Sequence, residues 1–482
     1  MILTMSTQTE PRAAALSEAQ TCADLLAFID ASPTPFHAVA SAAARLAASG
    51  FGELRPAESW AQLAPGRYFV PVGDGALVAF VLPAAPGGTL RGFRIVGAHT
   101  DSPNLRLKPR APYHKAGYLQ LGVEVYGGAL LNSWLDRDLL LAGRVIYRNG
   151  RNGRNGRGKE GDVVRALVRL PQPLVRVPQL AIHLDREVNE KGLMLNRQEH
   201  LAPIIGLTGG GAAGLPGSSA GQRGRERAAG DLGLLHELCA QALGIDEAAI
   251  LTTELMLHDA QPATRAGLAQ ELVFAPRLDN LAMSHAAMLA LGRAAAQTDP
   301  DSGLIPLVAL FDHEEVGSNS AYGAQAPILP TILERLVLAT GGDRERYHQV
   351  IAGSLCVSAD MAHAAHPNYL DRHEAHHRPV LNGGPVIKSN AQQRYATCAR
   401  TAALFQELCR RVEVPVQHYA HRTDLPCGST IGPITATLLG IPTVDVGNPM
   451  LSMHSARELG GSADPELMTR ALTGFFSWSA AI

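Results

Sequence analysis

The stretch FDHEEVGSNS, Phe311 to Ser320, follows the apolar run LIPLVAL, which predicts a buried strand. At its centre two carboxylates stand side by side, Glu314 and Glu315. Adjacent like charges at the end of a buried strand repel each other and lose hydration, so either the segment is solvated or a cation offsets the cost. A cation site would need further ligands elsewhere in the chain.

Length and composition predict a large, well-packed globular protein. The chain has 482 residues, which favours two domains or one domain with an insertion. The hydrophobic fraction is 46% and the charged fraction 18%. Lys and Arg number 42 against 44 Asp and Glu, a formal charge of −2. This balance argues against nucleic-acid or membrane-surface binding through bulk electrostatics.

The cysteines and the N-terminal sequence favour a cytoplasmic protein. No CxxC pair occurs among the six cysteines, as expected of reduced thiols. The opening residues, MILTMSTQTEPRAAA, lack the apolar core of a secretory signal. No run of 18 or more uninterrupted apolar residues occurs, so we expect no membrane span.

The hydrophobic patterns predict an α/β fold, a mostly parallel sheet flanked by helices, interrupted by a β-rich insertion. The α/β part comprises residues 17–108 and 265–482, where apolar strands without clean alternation are separated by helices. Helices are expected at Ser17 to Ile29 and, with Thr34 as cap, at Pro35 to Ala48. Residues 109–264 carry short β-branched runs among Gly-rich stretches and form the predicted insertion.

Two low-complexity tracts lie within the insertion. One, Asn149 to Gly161, repeats NGR three times, and the other, Gly206 to Gly230, is rich in glycine and dotted with arginine. Long tails of this kind bind RNA, but these tracts are short and internal. We interpret them as flexible surface loops.

Metal-binding residue types recur at the ends of apolar strands. The members of this set are His99 after RIVGA, Glu314 and Glu315 after LVALF, Asp360 after SLCVSA, His454 after TVDVGNPMLSM, and Asp279 at the start of a helix. Each has an ordinary structural explanation when taken alone, such as a loop hydrogen bond or a helix cap. Together they predict one crevice, because open α/β sheets place their ligands outside the carboxyl ends of the strands.

The number of ligands suits two zinc-like ions. If Asp279 bridges the pair, one ion takes His99 and one carboxylate, and the other takes His454 and one carboxylate. Three protein ligands for each ion leave room for water, as in a catalytic site. Nitrogen and oxygen ligands without thiolate also admit Mn²⁺ or Co²⁺. Paired metals about 3.5–4 Å apart are a common hydrolytic arrangement.

The paired carboxylates of the opening stretch then acquire separate roles. In extended backbone neighbouring side chains point to opposite sides, so Glu315 is expected to bind metal while Glu314 faces the substrate as general base. Asp101, two residues after His99, is expected to hold the imidazole.

Several long motifs resemble the aspartyl aminopeptidase family of dinuclear zinc metallopeptidases, the eighteenth metallopeptidase family. They are GAHTDSPNLRLKP, RLDNL, DHEEVGS, SADMAHA, GGPVIKSNAQQRYAT, LPCGSTIGP and VDVGNPMLSMHS, in the same order from about Phe36 to Phe476. The resemblance implies a peptidase with two zinc ions that removes one N-terminal residue, with Asp or Glu preferred. It implies His99, Asp279, Glu315, Asp360 and His454 as metal ligands and Glu314 as base.

The same resemblance implies roles for other residues. The insertion resembles a dimerisation domain, and its segment LAIHLDREVNEKG carries His183, which resembles a histidine that reaches the neighbouring subunit's active site. Lys388 resembles the lysine that meets an acidic substrate side chain, and Tyr395 and His363 lie in matching motifs as site-lining residues. The family implies homo-oligomers in which dimers form a dodecamer. The two low-complexity tracts depart from the family pattern and bear on contacts between subunits.

Two alternatives remain at this stage. One is a broad-specificity aminopeptidase that acts on neutral N-terminal residues such as Leu or Met. The other is a non-catalytic assembly protein that keeps the fold, although the intact set of ligands and base argues against it. Small peptides are the expected partners, without nucleic acid or membrane.

Overall fold

The computed structural model describes residues 16–84, 90–149, 161–208, 233–296 and 302–478. Residues 150–160 of the NGR tract and 209–230 of the Gly-rich tract lie outside this part, so their interpretation as surface loops stays a prediction. Among the described residues, no helix combines the length and apolar character needed to cross a membrane.

The described chain contains runs of helices and runs of strands. The helices are α1 (Glu18–Ala31), α2 (Pro35–Ala48), α3 (Val188–Lys191), α4 (Gly233–Leu243), α5 (Leu278–Ala295), α6 (Ile328–Ala339), α7 (Arg344–Ala352), α8 (Ala399–Arg411), α9 (Ile431–Leu439) and α10 (Asp464–Phe476). The strands of the first half are β1 (Gly52–Glu53), β2 (Gly66–Val72), β3 (Ala76–Leu82), β4 (Gly92–His99), β5 (Asn104–Lys115), β6 (Tyr118–Tyr126), β7 (Leu139–Arg148), β8 (Val163–Val175), β9 (Ile204–Leu207) and β10 (Ile250–Asp259). Those of the second half are β11 (Thr264–Ala266), β12 (Leu272–Ala275), β13 (Leu304–Phe311), β14 (Leu355–Ala359), β15 (Ala362–His363), β16 (Val386–Ser389), β17 (Gln417–Ala420), β18 (Thr443–Gly447), β19 (Pro449–Leu451) and β20 (Glu458–Gly461).

The central sheet has nine strands in the described chain, in the order β1-β2-β3-β13-β4-β14-β18-β16-β17. Its four middle strands, β13, β4, β14 and β18, run parallel to one another. Strand β4 is buried along its whole length, with Ile95 in one apolar cluster and Val96 in another. Helices α1, α2, α5 and α10 cover the Val96 face, and α6, α7 and α9 cover the Ile95 face. The predicted α/β class, a mostly parallel sheet between helices, is confirmed.

The two N-terminal helices begin where the sequence signals predict. The Ser17 side chain accepts a hydrogen bond from the backbone N–H of Gln20, whose side chain in turn accepts from the Ser17 N–H, which is a capping box. The Thr34 hydroxyl oxygen accepts from the N–H of His37, and Pro35 occupies the first helical position.

The insertion is a second, antiparallel sheet with its own core. Within the described chain its strands lie in the order β8-β7-β10-β5-β6-β9, and α4 packs on it through Leu238. This sheet spans Asn104 to Asp259, so the expected junction at 108/109 falls inside β5. Thr264, expected at the other end, begins β11, which belongs to a third sheet of order β11-β12-β20-β19-β15.

Candidate metal centre

The carboxyl ends of the central parallel strands bring the candidate residues together. His99 is the last residue of β4 and lies opposite Phe311, the last residue of β13. Asp360 follows directly after the neighbouring strand β14. Because these strands are parallel, their ends meet at one edge of the sheet, as the sequence predicts.

One half of the centre forms around His99. Its Nε2 lies 3.5 Å from Oδ1 of Asp279, 3.6 Å from Oδ1 of Asp360 and 3.9 Å from Oε2 of Glu314. Its other ring nitrogen, Nδ1, lies 3.1 Å from the backbone oxygen of Asp101 and 3.4 Å from that residue's Oδ1. Two acceptors beside Nδ1 favour a proton there, which leaves the Nε2 lone pair facing the carboxylates.

The other half forms around His454. Its Nε2 lies 3.3 Å from Oδ2 of Asp279 and 3.5 Å from Oε2 of Glu315. The Nδ1 of His454 donates to the backbone oxygen of Gly128, at 3.2 Å. The two oxygens of Asp279 therefore face different imidazoles, one in each half.

These residues fit two metal ions. Ligands held 2.0–2.1 Å from a tetrahedral ion lie about 3.3 Å apart, close to the separations in both halves. Among the described residues, Oδ1 of Asp279 and Oε1 of Glu315 are buried and find no hydrogen-bond partner, which is costly for a carboxylate unless a cation binds it. In the part of the chain that the structure describes, the sets His99, Asp279, Glu315 and His99, Glu314, Asp360 each place their ligand atoms within 4.8 Å of one another.

The electrostatics of the cluster favour added positive charge. Burial lowers the pKa of both imidazoles, but neighbouring carboxylates outweigh it: the pKa of His99 is raised well above its usual value, chiefly by Glu314, and that of His454 to about 10, chiefly by Asp279. Burial, reinforced by neighbouring carboxylates, raises the pKa of Glu314 to about 8 and also raises that of Glu315. Carboxylates packed this closely repel one another, so they are stabilised by binding protons or cations.

Glu314 and Glu315 lie in a turn of 3-10 helix, Glu314–Val316, and not in the extended backbone that the sequence interpretation assumed. The chain leaves the strand through His313, which has a left-handed backbone (φ 61°). The carboxylate of Asp101 accepts the N–H groups of Glu314 and Glu315, both at 3.1 Å. This contact holds the turn, and the two side chains still diverge, one toward each half.

Two residues of the site were not predicted. Tyr126, at the end of β6, donates a 2.6 Å hydrogen bond from its hydroxyl to Oδ2 of Asp101. Glu458, in β20, is buried and accepts the N–H groups of Asp279 (3.2 Å) and His454 (2.7 Å). Burial raises the pKa of Glu458 to about 8. The only sequence signal for Glu458 was its place four residues after His454.

The residues expected to line the substrate site lie beside Asp360. The side chain of Lys388 is buried, and its Nζ donates to the backbone oxygens of Asp360 (2.8 Å) and Met361 (3.1 Å). The same Nζ lies 5.2 Å from the ring centroid of Tyr395. Burial, with Lys388 nearby, lowers the pKa of His363 to about 4, so this imidazole is neutral at pH 7.

His183 lies far along the insertion, in an exposed turn between β8 and α3. Its neighbours Ile182 and Leu184 are also exposed, the latter by 75%. Within one chain, His183 does not join the other candidates.

Known proteins match the chain over almost its full length. Residues 28–476 match the family model described as "Aminopeptidase I zinc metalloprotease (M18)". A Streptomyces coelicolor protein named "Probable M18 family aminopeptidase 2" is 45% identical over 94% of this chain and 96% of its own length. A Mycobacterium leprae protein with the same name is 46% identical over 94% of this chain and 98% of its own.

Solved structures share the fold. The structure titled "Cryo-EM structure of the Ape4 and Nbr1 complex" has a TM-score of 0.86 at 40% identity, covering 95% of this chain and 86% of that one. "Crystal structure of prApe1" has a TM-score of 0.85 at 30% identity, covering 96% and 95%. The family model and these relatives agree with the geometry of the site. The chain belongs to the M18 family of metalloaminopeptidases.

Proposed function

We propose that this protein is a dinuclear zinc aminopeptidase that removes the N-terminal residue of peptides, with a preference for Asp or Glu. The observation that carries the dinuclear site is Asp279, whose two carboxylate oxygens face His99 and His454 separately. A single carboxylate placed in this way suits a bridge between two ions.

The ligands divide into two sets that share one member. His99, Asp279 and Asp360 would hold one ion, and His454, Asp279 and Glu315 the other. When bound, the pair supplies Lewis-acid chemistry: it polarises the scissile carbonyl and acidifies water. The donor set suits zinc and also accepts Mn²⁺ or Co²⁺.

Glu314 is the proposed general base. Its carboxylate lies beside the first half and is partly accessible, with 17% of the side chain exposed, so that it can reach the substrate. A general base must lie close to the reacting water, and Oε2 of Glu314 lies 3.9 Å from Nε2 of His99, a proposed ligand. Glu314 would accept a proton from the attacking water and deliver it to the leaving amine. Asp101 would keep Glu314 in place through its backbone N–H.

Selectivity for acidic residues is assigned to Lys388, with Tyr395 and His363 lining the same pocket. An ammonium group has three N–H donors. Two donate to backbone oxygens, and Nζ also lies 3.7 Å from Oδ2 of Asp360. The third donor would meet a substrate carboxylate. The engagement of the first two favours the second candidate function, cleavage of neutral residues, in which Lys388 only supports the loop of Asp360.

We further propose a cytoplasmic homo-oligomer built from dimers, up to a dodecamer, in which His183 reaches the neighbouring subunit's site. A related structure is titled "Structure of S. cerevesiae mApe1 dodecamer", at 29% identity and a TM-score of 0.80. Leu180, Ile182 and Leu184 are all exposed around His183, and such a concentration of exposed apolar side chains supports an interface at that turn.

The testing experiment is hydrolysis of a panel of aminoacyl chromogenic substrates. Wild type, Lys388→Met and, as a surface control, Lys115→Met are assayed after chelation and after Zn²⁺, Mn²⁺ or Co²⁺ is restored. Cleavage that requires metal, favours Asp or Glu, and loses that preference in Lys388→Met supports the proposal. Wild-type cleavage led by Leu or Met would reject the acidic pocket. No cleavage with any metal would favour the non-catalytic assembly protein.

A further inference from the structure

We infer that a segment of the insertion, Gly127–Ser133, is a positioning element for one half of the metal centre, the half formed by His454 and Glu315. The inference rests on the proposed dinuclear site. The segment directly follows strand β6 of the inserted sheet, whereas the proposed ligands lie outside the insertion.

The segment binds the loop of His454 at three points. The backbone oxygen of Gly128 accepts from His454 Nδ1 at 3.2 Å, and the N–H of Leu130 donates to the His454 oxygen at 3.0 Å. The hydroxyl oxygen of Ser133 accepts from the N–H of Ala456, two residues after His454, at 2.8 Å. The first of these contacts fixes the ring directly, because it favours a proton on Nδ1 and leaves Nε2 as the metal donor.

Close packing against the same half leaves little room for a side chain at Gly127 or Gly128. A Cβ added to Gly127 would lie 3.0 Å from the Cβ of Glu315 and 3.4 Å from its Oε2. A Cβ added to Gly128 would lie 3.3 Å from His454 Nδ1. Both glycines therefore contact a proposed ligand that belongs to this half alone.

The first half is supported by the catalytic part of the chain. Ser284, on α5, donates to the backbone oxygen of His99 at 2.8 Å, and Lys388, on β16, donates to that of Asp360. A disturbance at Gly127 or Gly128 should therefore act on the two halves unequally. The segment Gly127–Ser133 would then set the affinity for one ion with less effect on the other.

The test uses Gly128→Ala and Gly127→Ala, with Gly117→Ala as control. Gly127 and Gly117 both have positive φ, +71° and +86°, so alanine meets backbone strain at either position. Among the described residues, however, none beyond its chain neighbours has an atom within 4 Å of a Cβ added to Gly117. Gly128 has no such strain, so its variant remains informative if Gly127→Ala fails to fold. Zinc bound per chain is measured by elemental analysis across a series of chelator-buffered free zinc concentrations.

The expected result is a 10- to 100-fold weaker binding of one ion in both variants, the size typical of lost ligand support. The second ion and the Gly117→Ala protein should match wild type. If wild type binds two ions, the inference would be overturned by equally weaker binding of both ions in the variants, or by unchanged binding in Gly128→Ala. Wild-type protein that binds fewer than two ions would overturn the dinuclear site and the inference together.

Discussion

The hydroxyl group of Tyr126 lies 2.6 Å from Oδ2 of Asp101, and this carboxylate in turn accepts the N–H groups of Glu314 and Glu315. Tyr126 belongs to the insertion, whereas the other three residues follow strands of the central sheet. Burial raises the pKa of Tyr126, so its hydroxyl stays a donor at all working pH values. Through Asp101, this hydrogen bond connects the inserted sheet to the turn that carries the proposed base.

Removing that hydrogen bond should slow the reaction. In Tyr126→Phe, Asp101 loses one donor and holds the Glu314 turn less firmly, so we expect kcat to fall about 10- to 100-fold. KM and zinc content should change little. Steady-state kinetics beside Tyr118→Phe, a change at an exposed tyrosine of the same strand, provides the comparison. A kcat equal to that of wild type would show that Asp101 needs no help from Tyr126.

The adjacent glutamates should respond differently to the same substitution. We expect Glu314→Gln to lower kcat by about 10²- to 10⁴-fold because the amide cannot accept the proton, while both zinc ions stay bound. We expect Glu315→Gln to lose zinc, since an amide is a poorer ligand than a carboxylate. Elemental analysis and kinetics of both variants separate the roles. If Glu314→Gln lost zinc and Glu315→Gln kept it, Glu314 would be the ligand and Glu315 the base.

Asp464 should make stability depend on pH. Its buried carboxylate accepts the N–H groups of Asn382 and Gly384, and burial raises its pKa to about 7. The folded protein keeps this proton up to about pH 7, whereas the unfolded chain releases it near 3.8. The contribution is therefore complete below pH 3.8 and is lost as pH rises through 7, on the order of 4 kcal/mol at most.

Substitution of Asp464 isolates this effect. Asp464→Asn cannot titrate and keeps one oxygen acceptor, so one of the two N–H groups, which bond different oxygens of Asp464, loses its acceptor at every pH. Relative to this variant, wild type should be more stable at pH 5 than at pH 8, measured as the difference between their urea midpoints. If the difference between the urea midpoints of wild type and variant were the same at pH 5 and pH 8, a raised pKa at Asp464 would be contradicted.

A buried ion pair joins three helices on one face of the central sheet. Both guanidinium N–H₂ groups of Arg293, on α5, donate to Glu466, on α10, at 2.8 Å, and the hydroxyl of Thr21, on α1, donates to the same carboxylate at 2.5 Å. We expect Arg293→Met to cost about 3–5 kcal/mol, because it leaves a buried carboxylate without its partner. The double variant Arg293→Met/Glu466→Gln should regain much of the lost free energy of unfolding, measured by denaturant unfolding. Additive losses would show that the two residues do not interact.

The central sheet and the gathering of the candidate ligands were predictable from the sequence. Apolar strands with helices between them predict parallel order, and parallel order brings the ends after His99, Phe311 and Ala359 to one edge. The N-terminal cap of α2 was also predictable, because the Thr34 side chain accepts from the N–H of His37, only three residues away.

Features that depend on distant contacts could not be read in this way. The turn at Glu314 is stabilised by Asp101, 213 residues earlier in the chain, and no local pattern reports that contact. Glu458 supports Asp279 across 179 residues. The two backbone acceptors of Lys388 were also invisible, because carbonyl groups leave no mark in a sequence.

The proposed ligands are scattered along the chain, from His99 to His454, a span of 356 positions (454 − 99 + 1). A ribosome must therefore synthesise the chain as far as His454 before all five ligands exist together. On the proposed mechanism, a nascent chain that has not yet reached His454 is inactive as a peptidase, and so is a chain truncated before His454. Because His454 lies near the C-terminal end of the catalytic fold, the proposed activity arises only when synthesis of that fold is nearly complete.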